Sequence, residues 1–139
     1  MSLYDWLLFL HLLAAFLLVA GLVAFAVMVL GPSEAVVSRT LAPAATALWN
    51  AGGLGVIVFG VWLALEVDGY ELWDGWILAS FVFWAIAVGV GSRGGKYFQR
   101  AAMEPGSAVA LRRTGLMLQL TASAALLLLI VMMVFKPGA

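Results

Sequence analysis

The chain has no cysteine, one histidine, four prolines and charge on only 10% of its residues. Without cysteine there is no disulfide, no thiolate metal site and no cysteine nucleophile. Seven basic residues balance seven acidic ones, so no basic surface exists to displace counterions from a phosphate backbone, and an electrostatic nucleic-acid binder is excluded. A single histidine cannot supply both axial ligands of a bis-histidine haem within one chain. No Ser-His-Asp arrangement is available either, because no acidic residue shares the depth of His11.

What is present is apolar surface. Hydrophobic residues make up 65% of the 139 and mean hydropathy is +1.13, whereas soluble domains carry roughly 25% charged residues. A soluble fold of this size has no interior large enough to hide that surface, so lipid must be the solvent for much of the chain. The first apolar run has only Asp5 as a charge ahead of it and outlasts a signal-peptide core, so it reads as a retained span.

Four stretches reach the roughly 20 residues needed to cross about 30 Å of hydrocarbon. They run over 4–30, 43–65, 75–97 and 108–135, and the connections are too short for a soluble domain. The reading is one all-α domain over 1–139, an integral membrane four-helix bundle. Pro32, Pro43, Pro105 and Pro137 fall at or near the expected ends, and Ser33, Asp74 and Ser107 are expected N-caps. Residues 33–42 read as a short interfacial helix or a loop.

Charge sets the expected orientation. Arg93, Lys96, Arg100, Arg112 and Arg113, five of the seven basic residues, flank the connection between the third and fourth spans, which places it in the cytoplasm. The connection between the second and third spans holds Glu66, Asp68, Glu71 and Asp74 with no basic residue and faces outward, which puts both termini outside. Tyr4, Trp6, Trp62, Tyr70, Trp73 and Trp76 mark the outer interface and Tyr97 the inner one. Small residues in the second, third and fourth spans (Ala51 with Gly55, Ala85 with Gly89, Ala124 and Ala125 among them) suit close helix approach in lipid.

Polar residues sort by depth. Asn50 and Gln119 both lie roughly 10 Å below the inner surface, and the expectation is an interhelical hydrogen bond between them. His11 lies about as deep from the outer surface, in the run "FLHLLAAF", at the level of Phe59, Trp62, Ser80, Trp84, Met132 and Met133. An unpaired imidazole nitrogen in lipid is costly. Three answers stand: Ser80 or a backbone carbonyl ties the ring between helices; His11 binds haem b iron or copper, with Met132 or Met133 as a second ligand; or the ring relays protons. "GSRGGKYFQR" lacks phosphate-loop spacing and reads as a basic helix end among headgroups. "EVDGYELWD" does not match an ordered calcium loop and reads as a solvated turn.

"LYDWLLFLHLLAAFLLVAGL", "GVWLALEVDGYELWDGW" and "MMVFKPG" together resemble a family of small bacterial predicted integral membrane proteins of unknown function. That family is similar in layout to the membrane domain of copper-resistance D proteins and, more distantly, to four-helix haem-containing protoporphyrinogen oxidases. The resemblance implies a multi-pass protein of a bacterial plasma membrane with a first-helix histidine as candidate axial ligand, matched by His11. The expected function is redox or metal handling by haem b or copper held at His11 near the outer leaflet. The alternative is a non-catalytic subunit or assembly protein in which His11 only packs. Either way the bilayer is one partner, and a homo-oligomer or a larger membrane complex is expected. A transporter is disfavoured, since no embedded carboxylate and no inverted repeat is visible.

Overall fold

The computed structural model describes residues 1–30 and 35–138. It is all-α: α1 (Leu3–Leu30), α2 (Ala35–Glu66), α3 (Gly75–Met103) and α4 (Ala108–Phe135), with one 3-10 turn, Pro105–Ser107, between α3 and α4. No strand occurs among the described residues. Each of the four helices carries a stretch long and apolar enough to cross a membrane.

The helices outrun the apolar spans at two places. α2 starts at Ala35 and runs through Pro43, which lies inside the helix rather than at its end. Proline there leaves the carbonyl four residues earlier without its N–H partner, yet the helix continues, so residues 35–42 belong to α2. α3 continues past Tyr97 to Met103, because loss of hydropathy ends a span but does not end a helix. Its last turn carries an exposed Arg100–Glu104 ion pair at 3.6 Å, a contact of little energetic consequence. Asp74 and Ser107 do occupy N-cap positions, but neither side chain makes a capping bond; Asp74 Oδ2 instead accepts the Glu71 N–H at 3.1 Å. Ser33 and Pro32 lie outside the described residues.

α1 packs along α2, α3 along α4, and α2 against α3, whereas α1 and α4 barely meet. Hydrophobic burial cannot drive helices together in lipid, so close backbone approach must. A Cβ on Gly52 would sit 2.4 Å from the backbone nitrogen of Leu18 and 2.8 Å from the carbonyl oxygen of Ala14, and one on Gly21 would sit 2.9 Å from the backbone nitrogen of Trp49. α1 and α2 therefore touch main chain to main chain. Gly55 joins the same seam, facing Ala14, but Ala51 is exposed. The expected Ala85–Gly89 contact is not made: both residues face outward, and nothing lies within 4 Å of a Cβ built on Gly89.

The core runs from the end of the bundle that holds the α3–α4 turn, where Met28 and Phe98 lie, to Leu129 at the cavity. Phe25 lies 6.4 Å from Trp49, edge to face, and stacks on Phe98 at 6.0 Å. Arg112 Nη2 donates to the carbonyl oxygen of Met28 at 2.8 Å. That places a cation at the C-terminal end of α1, where the helix dipole favours it, and ties α4 to α1. At the opposite end, near the two termini and the 67–74 loop, the helices diverge around a cavity.

Candidate ligand cavity

The cavity is about 280 Å³ and draws its walls from all four helices. Tyr4, Tyr70 and Lys136 stand at its mouth, while Trp84 and Leu129 are among the residues about two turns deeper. Its walls are otherwise mostly apolar. The polar groups sit at two levels, one at the mouth and one at depth.

At depth stands His11. Its Nδ1 donates to the carbonyl oxygen of Val56 at 3.1 Å. Gly60, one turn further along α2, lets the ring lie close: a Cβ there would come within 3.0 Å of Cε1 and 3.2 Å of Nδ1. A backbone carbonyl can only accept, so the bond assigns the proton to Nδ1 and leaves Nε2 with its lone pair in the neutral ring. Nε2 has no hydrogen-bond partner among the described residues. Of the two tying partners weighed for His11, the backbone carbonyl is the one present. Ser80 lines the same cavity but satisfies itself, its Oγ donating to the Trp76 carbonyl oxygen at 2.7 Å, as serine in a helix often does.

Of the residues expected at the depth of His11, Ser80, Trp84 and Met133 do line this cavity; Phe59, Trp62 and Met132 do not. Met133 is thus the one methionine of the pair that shares the space with His11. Trp84 is fixed by a bond from its Nε1 to the carbonyl oxygen of Gly53 at 2.7 Å.

The expected Asn50–Gln119 bond is absent. Asn50 Oδ1 accepts from Ser92 Oγ on α3, and Gln119, 5% exposed, has neither amide atom hydrogen-bonded. α2 and α4 lie diagonally across the bundle with α3 between them, so equal depth did not bring the two amides together. Gln119 packs instead on α3, where a Cβ on Gly94 would meet its Oε1 at 2.9 Å.

At the mouth the sequence reading missed Lys136. It caps α4 in the left-handed conformation, φ 42 and ψ 58, with its backbone N–H on the Met132 carbonyl oxygen at 3.0 Å. Its Nζ donates to the Tyr70 hydroxyl and lies 4.7 Å from the centre of the Tyr70 ring and 5.4 Å from that of Trp76. Those two rings meet edge to face at 5.3 Å. The available signal was its position: Lys136 is the one basic residue on the side of the acidic 66–74 connection, beside aromatic residues already assigned to that interface.

The fold and cavity together define a class, an all-α membrane-type bundle with a ligand-sized space at one end. Comparison with family models, with curated proteins and with solved structures finds no match to this chain.

Proposed function

We propose that this chain is a multi-pass protein of a bacterial plasma membrane, with both termini outside, that binds an amphiphilic redox cofactor in the cavity of its outer half with His11 as the anchoring group. One observation carries the reading: Nδ1 is pinned to a main-chain carbonyl while Nε2 has no hydrogen-bond partner among the described residues, on a ring that lines a cavity. This is the arrangement of metal-ligating histidines, whose second nitrogen is held by a carbonyl or carboxylate that fixes the tautomer.

Between the two cofactors that His11 suggests, charge favours haem b over copper. His11 and Met133 offer donors for a copper ion, but among the described residues the only charged one lining the cavity is the cationic Lys136. Among the described residues no group of three His, Cys, Asp or Glu side chains is placed to hold a metal. Haem b carries its own carboxylates, which suit a cation at the mouth. The space, about 280 Å³ and open to the outside, falls just short of the roughly 300–1,000 Å³ of ordinary ligand sites, so a macrocycle requires α1 and α4 to part. These two helices share little contact to lose. His11 would hold the iron and Lys136 the acidic edge; the bound group would supply one-electron chemistry.

Protein purified in mild detergent from haem-replete cells is expected to show a Soret band, and His11→Ala is expected to abolish it while helicity by circular dichroism is kept. A colourless wild type overturns the reading, as does a band that survives the substitution. A second reading has its own observation, the His11–Val56 bond itself: His11 then only joins α1 to α2 in a support or assembly subunit. That reading expects His11→Ala to cost about 1 kcal/mol with no spectral change, and a stoichiometric partner to co-purify. Orientation is tested by single-cysteine labelling, since the chain has none of its own: an impermeant reagent should reach Tyr70→Cys and not Glu104→Cys.

A further inference from the structure

We propose that Lys136 makes the mouth of the cavity a carboxylate-recognition site, so that its ligand is an apolar body ending in a carboxylate that meets Lys136. This rests on the reading of the cavity as a ligand site with His11 at depth.

The mouth holds a cation that forms no ion pair among the described residues. The Lys136 ammonium carries three N–H donors, and its partners are the Tyr70 hydroxyl and the faces of two rings. Among the described residues no carboxylate lies within 4.0 Å of it, although the neighbouring loop carries several. Asp74, one of these, is engaged with the Glu71 N–H. Trp76 also lines the cavity, and its ring lies 5.4 Å from Nζ. The Tyr70 hydroxyl takes one of the three donors, and a carboxylate, with about four lone-pair sites, is the acceptor that suits the charge and the donors left over.

The shaft below the mouth sets the rest of the ligand. From Lys136 to Leu129 on α4, and from Tyr4 to His11 on α1, the walls descend about 10 Å. The body that fits is therefore apolar and about that long. Two sources share this chemistry, the propionate edge of a porphyrin and a long-chain fatty acid.

The test uses the full chain in phosphatidylcholine nanodiscs and two matched pairs of probes: haem b against its dimethyl ester, and dodecanoic acid against dodecanol, read by absorbance and by tryptophan fluorescence. In the wild type the acid of at least one pair is expected to bind about tenfold or more tighter than its capped partner. Lys136→Gln is expected to bring that ratio near one, and Lys136→Arg to preserve it. Because each variant is compared by the ratio within a pair, differences in partitioning into lipid cancel. The pair that shows the effect identifies the source. Equal affinity for acid and capped partner in both pairs overturns the assignment of Lys136 but leaves the cavity as a ligand site. A preference that persists in Lys136→Gln also overturns it. Failure of all four probes to bind overturns this proposal and the cavity reading together.

Discussion

Replacing Gly52 by alanine is expected to cost about 3 kcal/mol of stability, at the upper end of ordinary overpacking. The added methyl would lie 2.4 Å from the Leu18 backbone nitrogen and 2.8 Å from the Ala14 carbonyl oxygen. Both are main-chain atoms in the middle of α1, so no side chain can rotate away and the two helices must separate. Separation then also opens the reciprocal approach of Gly21 to Trp49. Gly89→Ala is the matched control, since it adds the same methyl where nothing lies within 4 Å. There the better helix propensity of alanine makes the change neutral or slightly stabilising. Unfolding of both variants by titration with a denaturing detergent checks this pair. Equal midpoints would show that α1 and α2 do not meet at their backbones.

Trp49→Ala is expected to be as damaging or more, about 3–5 kcal/mol. Trp49 is fully buried, packs edge to face on Phe25 and fills the space left by Gly91, where a Cβ would meet the indole at 2.5 Å. Removing it leaves a void in the core to which all four helices contribute. Trp49→Phe separates packing from polarity. The indole N–H has no acceptor among the described residues, so phenylalanine gives up volume but also removes an unsatisfied donor, and the net cost is expected to stay below about 1.5 kcal/mol. The same detergent titration ranks the three proteins. A phenylalanine variant as unstable as the alanine one would mean that the N–H is bonded.

The four helices were legible because hydropathy over about 20 residues is a one-dimensional signal, and a chain of this composition has few other ways to satisfy its backbone in lipid. Their ends were less so. Pro43 looked like a terminus because proline usually is one, and α3 outran its apolar span by six residues, Phe98 to Met103, because a polar turn is as helical as an apolar one. Depth was legible in part: His11, Ser80, Trp84 and Met133 do line one cavity. The angle around each helix was not, and pairs depend on it. Asn50 and Gln119 match in depth but stand on diagonal helices, and Met132 is next to Met133 yet does not line the cavity. Lys136 escaped notice because a single lysine after the last span looks like an ordinary interfacial anchor. Only the fold brings it over Tyr70 and Trp76, which are distant from it in the chain.

The sparse contact between α1 and α4 changes what affinity means for this protein. If the proposed ligand enters between these helices it leaves hydrocarbon for hydrocarbon, so lengthening its tail would add almost nothing to the free energy of transfer, unlike entry from water. Discrimination then falls to the few hydrogen-bonding groups at either end of the shaft. Occupancy should follow the mole fraction of guest dissolved in the surrounding leaflet rather than its aqueous concentration.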